Sequence, residues 1–176
     1  MNYADRIVQI ALMEVGVKES PANSNRVKYN EWIYGKVVEG ANYPWCAAFV
    51  SWVYDQAGIN LGNIGLKKGF VGCPYAVARI SEWGKLITVP TKGCVVFYDW
   101  DGDGKFDHTG IFNTDLGGGK FEAFEGNTAY PKSADPKEMK ASNSNGGEVV
   151  RRSDRRYKNA IFVLPNVLAK TQTPSI

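Results

Sequence analysis

The chain of 176 residues contains a single histidine and only three cysteines, and it has no strong excess of charge of either sign. An odd number of cysteines argues against a disulfide framework and favours reduced thiols in a cytoplasm at the time of folding. A net charge of +3, from 21 Lys and Arg against 18 Asp and Glu, is too mild to predict binding to nucleic acid. No stretch approaches the roughly 18 apolar residues of a membrane span, so no membrane insertion is expected.

The size of the chain predicts one compact domain, which buries enough surface to need no disulfide or metal for stability. The first twenty residues alternate polar and apolar groups and carry Asp5 and Glu14. They therefore predict an amphipathic helix and not a signal peptide. We find no internal repeat or second hydrophobic block. A single domain is expected over residues 1–165, followed by a flexible polar tail over residues 166–176.

The spacing of apolar residues changes character after Gly84. Before it, the spacing predicts helices at 3–15, 26–34, 45–58 and 74–83. After it, short apolar runs between turn residues predict strands at 94–98, 109–112, 121–124, 148–151 and 160–164. This order indicates an α+β domain in which the helix that begins near Cys46 packs on a mostly antiparallel sheet that carries His108.

Cys46 and His108 are the first candidates for catalysis. Cys46 lies at a predicted helix start, where the helix dipole favours a thiolate, and His108 begins a strand after a polar turn. A thiolate beside an imidazole is the usual nucleophile of cysteine hydrolases. A lone cysteine or histidine is usually structural, but the two together at element ends favour catalysis. Cys73 and Cys94 have no comparable neighbours and are predicted to be structural.

A third catalytic group is offered by Glu125 or Asn127, whose carboxylate or amide could hold the imidazole in the correct tautomer. The two residues are two apart at a predicted strand end, and side chains two apart share a face of a strand. The residues alone therefore leave both possibilities open.

Four segments carry a specific resemblance, and they are Tyr43-Pro44-Trp45-Cys46-Ala47-Ala48-Phe49-Val50-Ser51-Trp52, Gly93-Cys94-Val95-Val96-Phe97-Tyr98, Asp107-His108-Thr109-Gly110-Ile111 and Glu125-Gly126-Asn127-Thr128. Together they resemble a CHAP domain, the family of cysteine- and histidine-dependent amidohydrolases and peptidases. The resemblance implies a papain-like fold and peptidoglycan as the substrate. It also implies that Cys46 is the nucleophile, His108 the base and Glu125 the orienting acid, with Asn127 as a supporting or alternative third member. The related NlpC-type peptidases commonly use a second histidine as the third member, and this chain has none.

The loop over residues 99–107 matches the first nine positions of a calcium-binding loop. The candidate ligands are Asp99, Asp101, Asp103, the backbone carbonyl of Lys105, and Asp107. Position 12, usually a bidentate glutamate, is a glycine, so any structural calcium is expected to bind weakly. The alternative is a tight acidic hairpin turn built on Asp-Gly chemistry. No organic cofactor is expected.

The resemblance leads us to expect a monomeric peptidoglycan hydrolase similar to a single-domain phage endolysin. It would be an N-acetylmuramoyl-L-alanine amidase or an endopeptidase that is synthesised in the host cytoplasm without a signal peptide and acts on the cell wall after release. The alternatives are a secreted antibacterial effector amidase and a non-catalytic, calcium-stabilised wall-binding module. A basic cluster near the C-terminus is predicted to lie on a solvated strand pair and turn, and it comprises Arg151, Arg152, Arg155, Arg156 and Lys158.

Overall fold

The computed structural model describes residues 1–62, 64–65, 68–130 and 145–171. Its helices are α1 (Tyr3–Met13), α2 (Lys28–Tyr34), α3 (Cys46–Gln56), α4 (Cys73–Ala78), α5 (Ile80–Trp83) and α6 (Asn166–Thr171). Its strands are β1 (Gly84–Ile87), β2 (Val95–Tyr98), β3 (His108–Gly117), β4 (Lys120–Thr128), β5 (Glu148–Arg156) and β6 (Ala160–Pro165). The predicted α+β class is confirmed.

The six strands form one antiparallel sheet in the order β1-β6-β2-β3-β4-β5. All four residues of β2 are buried, because its alternating side chains enter two different apolar clusters. Val95 and Phe97 pack with the helices, whereas Val96 and Tyr98 join an aromatic cluster of the sheet. A central strand covered on both sides gives a rigid base for the residues that follow it in the chain.

Helix α1 begins where its sequence predicts. The side chain of Asn2 accepts a hydrogen bond of 2.8 Å from the backbone N–H of Asp5, which satisfies one of the free donors of the first turn. Ile7, Val8 and Ala11 form the buried face of this helix. The helix therefore owes its position to one apolar stripe and a polar cap.

Helix α3 is buried more completely than an amphipathic helix. Every residue from Cys46 to Ser51 is buried, and the helix contacts α1, α2, β3 and β4. The hydroxyl groups of Ser51 and Tyr54 donate hydrogen bonds to the carbonyl oxygens of Phe70 and Gly93. These bonds fix the rotation and depth of α3 relative to the sheet, and with them the position of Cys46.

Three elements differ from the sequence prediction. The predicted helix over 74–83 is divided into α4 and α5, because Arg79 leaves helical geometry with φ of −116° and ψ of 20°. Strand β1 was not predicted. Residues 166–171, expected to belong to a flexible tail, form helix α6, and Leu168 of this helix is buried in the main core. Residues 172–176 lie outside the described part. Within the described residues no helix has the length and apolar character to cross a membrane.

Candidate active site

Cys46 is the first residue of α3 and has only 5 % of its surface exposed. Trp45 precedes it with φ of −121° and ψ of 14°, so the chain turns into the helix at the cysteine itself. Backbone N–H groups in a first helical turn lack intrahelical acceptors and create a positive potential there. The start of α3 therefore combines a nucleophilic atom with donors suited to a negative charge.

His108 is the first residue of β3 and is fully buried. Its Nε2 lies 2.9 Å from Oε2 of Glu125, whereas its Nδ1 has no hydrogen-bond partner among the described residues. Since an ionised carboxylate can only accept, the proton of the neutral ring is on Nε2 and the lone pair is on Nδ1. The histidine is thus held in one tautomer with the other nitrogen available for proton transfer.

Glu125 lies in β4 and has no exposed surface. Besides His108, it accepts hydrogen bonds from the Tyr98 hydroxyl at 2.7 Å and from the guanidinium of Arg155. Gly110 leaves room for this side chain, because a Cβ at Gly110 would lie 2.6 Å from Cγ of Glu125. The site therefore requires a residue without a side chain two positions after His108.

Gly126 has a different role, which is to let β4 approach α3. A Cβ at this position would lie 2.6 Å from Cβ of Phe49 and 2.8 Å from a ring carbon of Trp45. The strand that carries Glu125 consequently packs directly against the helix that carries Cys46. This close approach brings the three predicted catalytic groups together.

Asn127 is turned away from His108. It adopts the left-handed conformation with φ of 56°, and the pairing of β4 with β5 shifts between Glu125 and Thr128. Its amide oxygen accepts from the backbone of Gly147 at 3.3 Å, and its amide nitrogen donates to Asn25 at 3.5 Å. The rule that residues two apart share a face does not hold across this irregularity, and the imidazole bonds to Glu125.

The protonation states of the site favour an ion pair. A hydrogen bond from Cys73, and then the neighbouring His108, hold the pKa of Cys46 well below its usual value against the effect of burial. Burial opposes a charge on His108, but Cys46 and Glu125 outweigh it and raise the pKa of the imidazole. Burial likewise disfavours the Glu125 carboxylate, and Arg155 and His108 nevertheless lower its pKa. All three directions favour the charged forms, namely thiolate, imidazolium and carboxylate.

Cys73 was predicted to be structural, and it is buried in the main core, but it also interacts with Cys46. It begins α4, is buried, and its thiol donates to Cys46, an interaction that raises the pKa of Cys73 well above its usual value. The donor supports the thiolate directly. Cys94 conforms to the prediction, since it is buried and burial raises its pKa to about 12. Cys73 lies 27 positions after Cys46, and residue spacing gives no signal of contact over such a separation.

The arrangement can perform acyl transfer, because a thiolate at a helix start lies beside an imidazole oriented by a carboxylate. The model of the CHAP domain family matches residues 38–127, a segment that includes Cys46, His108 and Glu125. The chain belongs to the CHAP domain family. It is therefore a hydrolase of the peptidoglycan amidase and peptidase type, and its α+β architecture agrees with the papain-like fold of that family. A search for similar sequences among curated proteins found no match.

Two arginines of the basic cluster differ from the prediction that the cluster is solvated. Arg152 and Arg155 were predicted to be solvated but have only 2 % and 4 % of their surfaces exposed. Arg152 pairs with Asp154 and Arg155 with Glu125. Their neighbours in the chain are polar, so residue spacing did not indicate that they are buried.

The acidic loop brings only part of its predicted ligand set together. Carboxylate oxygens of Asp99, Asp101 and Asp107 lie within 4.8 Å of one another, a spacing that fits one cation. Asp103 is directed elsewhere, since its side chain pairs with the ammonium of Lys105 at 3.2 Å. Backbone N–H groups of Gly102 and Gly104 donate to Asp99. The loop is thus also a self-supporting Asp-Gly turn.

A cavity of about 370 Å³ is lined by Ile64, Gly65, Val71, Gly72 and Tyr75. Gly72 is adjacent in the chain to Cys73, and Tyr75 has 47 % of its surface exposed. Trp45 does not line this cavity, since it is fully buried and stacks on Tyr29.

Proposed function

We propose that this CHAP domain cleaves an amide bond of bacterial peptidoglycan through a thioester on Cys46, in an endolysin-like role. The observation that carries the mechanism is the orientation of His108, whose Nε2 is bound to Glu125 and whose Nδ1 remains without a partner among the described residues. The imidazole also interacts with Cys46, which raises the pKa of His108. One imidazole can thus move a proton at Nδ1 without losing its orientation.

In the acylation step the Cys46 thiolate attacks the carbonyl carbon of the scissile amide. The imidazolium of His108 gives its Nδ1 proton to the nitrogen of the leaving amine, the C–N bond breaks, and a thioester remains. The developing oxyanion lies at the start of α3, where backbone N–H groups including that of Cys46 can donate to it. Each such donor typically contributes about 3–4 kcal/mol to transition-state stabilisation.

In the deacylation step neutral His108 takes a proton from water at Nδ1, and the resulting hydroxide attacks the thioester carbon. The C–S bond breaks, a carboxylic acid is released and the thiolate with its imidazolium partner is restored. Glu125 remains a carboxylate throughout and stabilises the imidazolium each time it forms.

The reaction products identify which amide bond is cut. An amidase should release the peptide from the lactyl group of the glycan strand and leave a new free N-terminal alanine. An endopeptidase should instead create new amino groups within the peptide or its cross-bridge. Mass spectrometry of the soluble fragments distinguishes the amidase from the endopeptidase. Intact walls after prolonged incubation with folded protein would contradict the proposed hydrolase.

The endolysin-like role has its own test, which is the route to the wall. The protein produced in the cytoplasm of a susceptible bacterium should leave the culture intact until the membrane is permeabilised, and lysis should then be rapid. Lysis without permeabilisation would instead favour a secreted effector. Wall binding that is unchanged after Cys46 is alkylated, without any lysis before alkylation, would favour a non-catalytic binding module.

We predict a bell-shaped dependence of activity on pH. The thiolate is required, so activity falls on the acid side as Cys46 is protonated, at a pH well below the usual cysteine pKa because the pKa is lowered. The imidazolium is also required, so activity falls on the alkaline side as His108 loses its proton, above its usual pKa because the pKa is raised. Alkylation of Cys46 by iodoacetamide should be fast at pH 6, where an ordinary thiol is only roughly 0.3 % ionised. An alkylation rate that rises only near pH 8.5 would contradict the ion pair.

We also propose that the acidic loop binds calcium weakly through Asp99, Asp101 and Asp107. For a Kd on the order of 10⁻³ M, calcium at about 10 mM should raise the melting temperature by about 3–6 °C. Asp101→Ala should abolish this increase, whereas Asp103→Ala is the matched control and should retain most of it, since Asp103 pairs with Lys105. A melting temperature that changes neither with calcium nor with chelator would contradict calcium binding and favour a metal-free acidic turn.

A further inference from the structure

Arg155 forms the closest contacts to the orienting carboxylate. It lies in β5, and its Nε donates to Oε1 of Glu125 at 2.7 Å while its Nη2 donates to Oε2. The latter oxygen is the one that His108 contacts through Nε2. Both oxygens of the carboxylate are therefore held by one planar guanidinium, the geometry that arginine offers and lysine does not.

Aromatic rings fix the guanidinium in turn. Its central carbon lies 4.7 Å from the ring centroid of Trp100 and 5.2 Å from that of Tyr98. Tyr98 and Trp100 stack on each other at 4.6 Å with an interplanar angle of 10°. Tyr98 also donates its hydroxyl to Oε1 of Glu125. The arginine thus has little freedom to leave the carboxylate.

The charged and titratable groups around Glu125 come from every neighbouring strand. Tyr98 approaches from β2, His108 from β3 and Arg155 from β5, while Cys46 interacts with His108 from α3. Burial alone would favour a neutral carboxyl group, and Arg155 is the largest influence that opposes it. Buried ion pairs also occur with a purely structural role, so a functional test has to distinguish the two roles.

We propose that Arg155 is a positioning residue for catalysis, which fixes both oxygens of Glu125 so that one remains directed at Nε2 of His108. The inference rests on the proposed function of Cys46, His108 and Glu125. It assigns Arg155 no contact with the substrate. Its effect on turnover passes through the carboxylate, so its removal should matter little once the carboxylate itself is absent.

The test compares Arg155→Met and Arg155→Lys with Arg152→Lys as the matched control. Arg152 lies in the same strand and is equally buried, but among the described residues it donates to Asp154, Thr128 and Ala129 and not to Glu125. Two quantities are measured against pH, namely peptidoglycan turnover and the rate of alkylation of Cys46, identified by peptide mass spectrometry. Glu125→Gln and the double variant Glu125→Gln with Arg155→Met complete a double-mutant cycle.

We expect Arg155→Met to reduce peptidoglycan turnover at least about tenfold. It should also move the acid limb of the pH–activity profile to higher pH, because Glu125 then gains a proton more easily. Arg155→Lys should give a smaller shift, and Arg152→Lys should leave the limb in place. In the Glu125→Gln background, Arg155→Met should lower turnover by less than about threefold, because Arg155 then has no carboxylate to position.

Two results would overturn the proposal. One is an acid limb in folded Arg155→Met identical to that of the parent, and the other is a full tenfold loss on top of Glu125→Gln. If Arg155→Met does not fold, Arg155→Lys carries the same comparison, and an unshifted limb there counts against the proposal. Alkylation needs no substrate, so fast alkylation at low pH without peptidoglycan cleavage refutes the proposed function alone.

Discussion

Replacement of Cys46 by alanine is expected to reduce peptidoglycan cleavage by about 10⁴-fold or more, to the background of the assay. In the proposed mechanism the thiolate forms the covalent bond to the substrate, so its removal prevents the acylation step. The change removes one sulfur from a nearly closed site and should leave the melting transition almost intact. Release of soluble fragments from purified walls, measured with equal amounts of folded protein, is the assay.

Cys73 provides the matched control, because it is buried beside Cys46 and donates to it. Cys73→Ser keeps a donor and should retain substantial activity. Cys73→Ala removes the donor, so the pKa of Cys46 should rise and the acid limb of activity should move to higher pH. Equal loss of activity in folded Cys46→Ala and Cys73→Ser proteins would contradict the assignment of the nucleophile.

Glu125→Gln is expected to lower turnover by about two to four orders of magnitude. The amide cannot stabilise the imidazolium as a carboxylate does, and its NH₂ group can stabilise the wrong tautomer of His108. The pKa of His108 should therefore fall, which moves the alkaline limb of activity to lower pH. The pH dependence of Cys46 alkylation reports the same change without a substrate.

Asn127→Ala is the comparison for Glu125→Gln. Asn127 bonds to Gly147 and Asn25 and not to the imidazole, so its removal should cost less than about tenfold in turnover and act mainly on stability. Melting curves separate the two effects, since a left-handed residue changed to alanine loses stability in any case. A larger loss of turnover in folded Asn127→Ala than in Glu125→Gln would make Asn127 the third member.

The sequence was sufficient for the parts of the site that depend on local structure. Cys46 follows Pro44 and Trp45 at a helix start, and His108 begins a strand after a polar turn, both as expected. Local preferences of turns and helix ends determine such positions, and they act over a few residues. The approximate bounds of α1 and α3 and the starts of the five later strands were predictable for the same reason, whereas β3, β4 and β5 continue four or five residues past their predicted ends.

The sequence was not sufficient where partners meet across the fold. Arg155 is 30 residues from Glu125 along the chain, and its burial follows from the pairing of β4 with β5. The choice between Glu125 and Asn127 depends on one irregularity in that pairing. Helix α6 was missed because Leu168 finds its apolar partners in distant elements, not in its own segment. These are tertiary effects that residue spacing does not record.

In the ion-pair state, charges alternate in sign from α3 across the sheet, with Cys46 negative, His108 positive, Glu125 negative and Arg155 positive. All four side chains are buried, and the four charges cancel. The reactive group therefore presents no net charge to the outside, and its field is short-ranged. The surface charge, which governs approach to an anionic surface, can change by substitution with little effect on the thiolate. Attraction to a target and chemical reactivity are thus separable traits in this protein, and each can be adjusted without the other.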